Sequence, residues 1–192
     1  MKINLGKQTY LFPMPVLILV TYDENGKADA MNAAWGGIHD TNQVHLCLSS
    51  DHKTTENIKA KKALTISFAT KETIAESDYF GLVSGNQVPN KIDIAHFRVS
   101  KSEHVDAPVI EEYPVTLECE IAHLEDDGAG TTFVVANIVN VLVDEKVLNE
   151  KHSIDYGKFL PLIYDPVHHG YYIMGEKVGN AFQDGRKFQD KK

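Results

Sequence analysis

Arginine is nearly absent. Of 19 basic residues only Arg98 and Arg186 carry the guanidinium fork, and 27 acidic residues bring the formal charge to −8. Such a surface repels a phosphate backbone and anionic lipid alike, which argues against broad nucleic-acid binding and membrane-surface attachment. Cysteine is scarce too: Cys47 and Cys119 could form one bridge at most, so neither a disulfide framework nor a cysteine-based zinc site is available. Both lie in apolar-alternating segments, which suits a free buried thiol. Long apolar runs are missing, since residues 16–20 form the longest near the N-terminus and a membrane-spanning helix needs ~20. Residues 11–20 follow Lys2 and Lys7 in the manner of a secretion signal, but Pro13 and Pro15 interrupt them and residues 21–26 read as a turn. A cytoplasmic location is expected. The phosphate-binding patterns GxGxxG and GxxxxGK[ST] and the nucleophile elbow GxSxG do not occur, and the nine histidines contain no HExxH or other ligand spacing, so no metal site is expected.

What is present suits one domain: 192 residues, 43% of them hydrophobic, with no repeat, charge block or linker. Residues 16–22 predict a strand, and Asn25-Gly26 predicts a tight hairpin with both residues at positive φ. The return strand should run over residues 28–35, with Gly36-Gly37 as a break or bulge. Residues 44–48 alternate Val44, Leu46 and Leu48 against His45 and Cys47, and residues 64–68 alternate in the same manner. Residues 115–124 and 131–143 form the clearest strand pair, and the second is apolar on both faces, as a central strand is. Helices are few and short: one over residues 54–62 with charges suited to its dipole, another from residue 73 to about residue 80. Many hairpin-linked strands with few helices imply a β-barrel or sandwich.

Three segments could carry chemistry. In Ser49-Ser50-Asp51-His52-Lys53-Thr54-Thr55 a strand ends, hydroxyls cluster and a helix begins. Unpaired amides at a helix start, the dipole and Lys53 suit a phosphate monoester; simple capping by Asp51 or Thr54 is the alternative. In Asn32-Ala33-Ala34-Trp35-Gly36-Gly37 small side chains let a flat ligand approach the backbone, Asn32 can donate and accept, and Trp35 can wall a ring pocket. A tightly packed strand with a buried tryptophan is the alternative. The polar loop from Gly81 through Ser84-Gly85 to Asn90-Lys91 is either a binding loop or a solvated connector.

Taken in order, Pro13-Met14-Pro15-Val16, Val20-Thr21-Tyr22, Asn32-Ala33-Ala34-Trp35-Gly36-Gly37, Ser49-Ser50, Lys53-Thr54-Thr55-Glu56-Asn57-Ile58, Ser84-Gly85 and Asn90-Lys91 resemble the flavin reductase-like proteins of the flavoredoxin type. The likeness covers roughly residues 10–180. It implies a mainly β fold with a few short helices, a Greek-key-like split β-barrel, as one domain over residues 1–192 with a C-terminal extension. It also implies FMN, with its phosphate at Ser49, Ser50, Lys53, Thr54 and Thr55, its ring along Asn32, Ala33, Ala34 and Trp35, and Ser84, Gly85 and Lys91 close by. Tyr171, in the closing Tyr171-Tyr172-Ile173-Met174-Gly175, flanks the flavin on the same reasoning. The implied assembly is a homodimer with FMN near the interface. Where many relatives carry an arginine in the phosphate segment, this chain has His52 and Lys53, and lysine grips phosphate as a point charge without a fork.

The function so implied is an FMN-dependent oxidoreductase that accepts a hydride from NAD(P)H at flavin N5. Electrons then pass to a small-molecule or protein acceptor, and no partner nucleic acid or membrane is involved. These barrels stack the nicotinamide on the flavin, so a missing dinucleotide fingerprint carries no weight. Lys91 is the expected positive group near N1 or the C2 carbonyl, where an ammonium would stabilise the reduced ring. A non-enzymatic FMN-binding electron carrier is the competing reading. A relative that binds haem or a pyridoxal phosphate derivative is a third.

Overall fold

The computed structural model describes residues 1–189; the last three residues of the expected C-terminal extension lie outside them. Seven antiparallel strands form one sheet: β2 (Leu17–Tyr22), β3 (Ala28–Ala33), β4 (Gly36–Asp40), β5 (Gln43–Ser49), β6 (Ala63–Phe68), β9 (Val115–Asp126) and β10 (Thr131–Val143). Their spatial order is β3-β2-β6-β9-β10-β5-β4. The two edge strands are joined by Ala34 and Trp35 alone, so the sheet curls until its edges meet. A Cβ on Gly36 would stand 2.8 Å from the Leu46 side chain and 3.0 Å from that of Leu17, which shows how tightly the seam is drawn. The step from β5 to β6 passes through α1 (Lys53–Lys61) and skips the β9–β10 hairpin, which returns between them in Greek-key fashion.

Two sequence expectations are corrected, one in this seam and one in the β2–β3 turn. The chain break falls at Ala34-Trp35, and Gly36-Gly37 opens β4 instead of interrupting the chain. Only Gly26 of the Asn25-Gly26 pair has positive φ (78°). The turn is a longer one in which the Asp23 carboxylate accepts from the amides of Asn25 and Lys27, each at 2.8 Å. β10 is central, between β9 and β5, yet Phe133 on its outer face is 45% exposed.

The barrel interior is filled by the alternating apolar positions: Leu17 and Leu19, Met31, Leu46 and Leu48, Leu64 and Ile66, Cys119 and Val134, closed at one end by Ile58 of α1. Burial pushes the Cys119 thiol up to about 12, so it remains protonated, and both cysteines are free. The opposite face of β2 (Val16, Ile18, Val20) packs under α2 (Ile74–Leu82), α3 (Lys91–Ile94), β8 (Pro108–Ile110) and β11 (Leu162–Asp165), with Phe80, Ile92, Ile110 and Leu162 completing a second core. Strand β7 (Val99–Lys101) pairs with β8, while β1 (Met14–Pro15), β11 and β12 (Gly170–Ile173) make a small third sheet beside the seam. No helix among the described residues is long and apolar enough to cross a membrane.

Candidate functional site

A two-lobed cleft lies where the seam, α1, α2 and the small third sheet converge. The first lobe, of about 340 Å³, is lined by the end of β3 and the seam (Met31, Asn32, Ala33, Ala34, Trp35) and by Cys47, Leu48 and Ser49 of β5. Asp78, Gly81 and Leu82 of α2 and Tyr164 and Tyr171 of the third sheet complete it. The second lobe, of about 310 Å³, is lined by Asp29, Lys53, Thr54, Phe80, Ser84, Gly85, Gln87 and Lys91. Met31, Asn32, His52, Gly81 and Leu82 line both, so the lobes share a waist. Each falls in the ~300–1,000 Å³ range of small-molecule sites.

The first lobe has aromatic walls, with Trp35, Tyr164 and Tyr171 among its lining residues. Trp35 is 49% exposed, which rules out the buried-tryptophan alternative. Asn32 does not stand free: its amide donates to the Ser77 carbonyl at 2.9 Å, and Gly81 approaches its Cβ so closely that an added methyl would sit 3.2 Å away. Asn32 thus pins α2 to β3 and sets the width of the waist. The Tyr171 hydroxyl donates to Asp78 at 2.7 Å. Burial and then that carboxylate push the phenol up to about 12, so Tyr171 remains neutral and fixed as a wall.

The second lobe is polar. Helix α1 begins after His52 (φ −71°, ψ 139°) with no side-chain cap. Both capping alternatives fail, because the Asp51 carboxylate accepts from the Ser49 hydroxyl at 2.7 Å and the Thr54 hydroxyl donates to Asp29 at 2.7 Å. The Ser49 bond holds Asp51 below the usual carboxylate range. Lys53 stands at this open helix start, 3.2 Å from the exposed Glu56. Lys91 is almost fully buried, with Nζ 3.3 Å from Asp29 and donating to the Val83 carbonyl at 3.1 Å. Burial lowers its pKa and Asp29 opposes the shift. A Cβ on Gly85 would fall 2.2 Å from the Asp29 carboxylate, so only glycine lets the loop close over the ion pair.

Eleven of the thirteen residues singled out from the sequence therefore line the cleft: Asn32, Ala33, Ala34, Trp35, Ser49 and Tyr171 in the first lobe, and Lys53, Thr54, Ser84, Gly85 and Lys91 in the second. Two do not. Ser50 is turned to Asp126 and Thr132, and Thr55 is fully buried with its hydroxyl on the Ser49 carbonyl at 2.8 Å, bracing the strand-to-helix turn from behind. The sequence reading missed Asp29, Asp78 and Tyr164, took Cys47 for a buried thiol, and noted His52 only as standing where relatives carry an arginine. Asp29 and Asp78 were legible only as polar positions next to apolar ones; nothing local marks their distant partners. Among the described residues no three His, Cys, Asp or Glu side chains gather to hold a metal ion.

No curated protein sequence matches the chain. Among solved structures it is similar to flavoredoxin of Desulfovibrio vulgaris (Miyazaki F), with 32% identity and a TM-score of 0.90 over 96% of this chain and 100% of that one. It is also similar to flavoredoxin from Methanosarcina acetivorans, with 26% identity and a TM-score of 0.89 over 98% and 99%. The fold alone is shared with the FMN-binding domain of a flavin reductase-like enzyme from Shewanella baltica, at 18% identity and a TM-score of 0.73 over 86% of this chain and 89% of that one. The curled, split sheet described above is the fold these proteins have in common. The flavin reductase-like domain matches residues 9–171, from the strand-leading segment through Tyr171 in the wall of the cleft, and the chain belongs to that family.

Proposed function

We propose that the chain binds FMN along the cleft and works as an FMN-dependent oxidoreductase, taking a hydride from NAD(P)H and passing electrons to a small-molecule or protein acceptor. The observation that carries the reading is the shared waist: an aromatic lobe has five lining residues in common with a lobe that holds an uncapped helix start and a lysine. That pairing suits a flat ring joined to a phosphate. When bound, FMN would supply the hydride-accepting ring and the onward electron transfer. The protein's own residues do the rest. The Asn32 to Trp35 stretch and Tyr171 would position the ring, and Lys53 with the uncapped backbone amides at the start of α1 would hold the phosphate, since the Ser49 and Thr54 hydroxyls are taken up by Asp51 and Asp29. The loop at Ser84-Gly85 lies against Asp29 and forms one wall of the polar lobe. No side chain is asked to relay a proton in the hydride step.

We also infer a cytoplasmic location and a homodimer; the half-exposed Trp35 and Phe133, the backbone neighbours of Cys47 on its two sides, support the dimer. The test is the visible spectrum of freshly purified, dialysed protein, followed by anaerobic addition of NADH or NADPH. Retained flavin absorbance that bleaches within seconds is expected. Retained absorbance that NAD(P)H leaves intact would make the protein an electron carrier without a nicotinamide reaction. Failure to bind added FMN would overturn the reading.

A further inference from the structure

Two tyrosines stand side by side in the wall of the first lobe, and their hydroxyls end differently. Tyr164 and Tyr171 are register partners across β11 and β12, with ring centroids 6.1 Å apart, and both line the lobe. The Tyr171 hydroxyl donates to Asp78, and its proton is locked there. The Tyr164 hydroxyl instead shares a hydrogen bond of 2.7 Å with Nδ1 of His169, an exposed residue of the β11–β12 turn. Asp165 fixes that turn, accepting from the Val167 amide at 2.8 Å and meeting His168 at 2.8 Å. A hydroxyl of the cleft wall is thus connected to water through an imidazole, a side chain suited to passing protons. The roles assigned above leave this pair without a task. Hydride transfer from NAD(P)H asks no proton of the wall, but the onward step to an organic acceptor does.

We propose that Tyr164 is the proton donor to the electron acceptor, and that this acceptor is a small planar molecule with a carbon–carbon double bond conjugated to a carbonyl. The inference rests on the FMN reading above. In such a reduction the β-carbon takes up the hydride that NAD(P)H supplies through the bound flavin. The electron pair of the double bond then forms a C–H bond at the α-carbon with the proton of Tyr164. The Tyr164 O–H bond breaks, His169 returns a proton to the phenolate, and water restores His169. Tyr164 is the catalytic residue, and His169 acts through it. The aromatic walls suit a conjugated ring system, whereas a one-electron acceptor such as an iron centre would leave the Tyr164–His169 pair unused. A positioned general acid contributes typically ~10²–10⁴-fold to such a step.

The test loads the protein with FMN, reduces it anaerobically with dithionite, and follows reoxidation by benzylideneacetone or by ferricyanide, which takes electrons without a proton. Both should reoxidise the unmodified protein. Tyr164→Phe should lower the benzylideneacetone rate relative to the ferricyanide rate about 100-fold. His169→Gly, at a residue whose φ of 55° favours glycine, should lower the same ratio about tenfold, and added imidazole should restore it. Ligand binding gives a readout apart from turnover. Benzylacetone, which has no double bond to reduce, should shift the His169 ring nitrogen signals in the NMR spectrum of the oxidised, FMN-loaded protein and leave them in place in Tyr164→Phe. Equal rate ratios in the unmodified protein and Tyr164→Phe would overturn the proposal. So would reoxidation of the unmodified protein by ferricyanide alone, a His169→Gly ratio that imidazole leaves unrestored, or His169 signals that benzylacetone does not move. A protein that takes up no FMN would fail at the FMN reading instead, and dithionite as reductant keeps these outcomes separate from any failure with NAD(P)H.

Discussion

Lys91 is not the free cation its place in the sequence suggests. Nearly fully buried, it is matched by Asp29, also buried, at 3.3 Å, so the pair presents little net charge to the cleft. Its two halves should therefore act on a bound flavin in opposite senses. Lys91→Ala leaves an uncompensated carboxylate and should lower the midpoint potential, because reduced isoalloxazine gains negative charge. Asp29→Asn should raise it, and the double variant should return close to the starting value. Redox titration checks this, and two single variants shifting in the same direction would refute it. Each single variant should also cost about 3–5 kcal/mol of stability, the usual penalty for orphaning a buried charge, with less than the sum lost in the double. Gly85→Ala should act on the same pair, since its Cβ would fall within 2.2 Å of Asp29; a loss of about 1–3 kcal/mol by urea unfolding is expected. The pair also marks a limit of reading by eye. Lys91 drew attention as a cation in a glycine-bearing loop, but Asp29 is 62 residues away on a hairpin strand. Only the folded path of β3 and α3 brings the two together.

At the scale of elements, α1 is anchored at its two ends by different means. Its start is held by contacts that leave its first turn uncapped: Thr54 reaches Asp29, and Thr55 reaches back to Ser49. Lys53 stands apart from that bracing, with exposed Glu56 as its ion-pair partner, a contact worth little to stability. Lys53→Ala should therefore weaken FMN binding about five- to tenfold while moving the thermal midpoint by no more than a degree or two. Its other end is tied to the β9–β10 hairpin, where Lys59 lies 2.8 Å from Asp126. The Lys59 bond, with the Gly128 amide and the Ser50 hydroxyl, lowers Asp126 to about 2. A carboxylate with a depressed folded value stabilises the native state above its unfolded value near ~3.9, and that contribution is lost as pH falls through the folded value. Acid titration of stability should thus show a decline between about pH 4 and 2 that Asp126→Asn makes shallower; an unchanged slope would show that the contact contributes nothing.

At the scale of the whole molecule, six strands of the large sheet were legible because their apolar residues alternate or run together over several positions, and α1 because its charges suit its dipole. The closure was not. That β3 and β4, the two ends of the strand order, are linked by Ala34-Trp35 alone is set by the nonlocal order of seven strands, and Gly36-Gly37 reads locally as a break until Leu17 and Leu46 are seen to leave no room for a side chain at Gly36. The same limit applies to the outer face of β10. Its apolar character on both sides predicted a central strand, which it is, yet its neighbours leave Phe133 exposed. Phe133 pairs in register with Cys47, a residue of the cleft wall, and Trp35 stands on the other side of that wall. A second copy seated there would bury both aromatics and narrow the open side of the first lobe. Stable association of that kind needs about 800 Å² from each partner, with large side chains near its centre. Phe133→Glu places a charge in such a centre without disturbing a packed interior, because the ring is already 45% exposed. Sedimentation velocity should show the variant as a monomer where the unmodified protein is a dimer. Its unfolding midpoint at low concentration should be unchanged, and it should lose FMN more readily on dialysis. A variant that stays dimeric, or an unmodified protein that is already a monomer at micromolar concentration, would place the interface elsewhere or remove it, and the cleft would then have to hold its ligand with the residues of one chain.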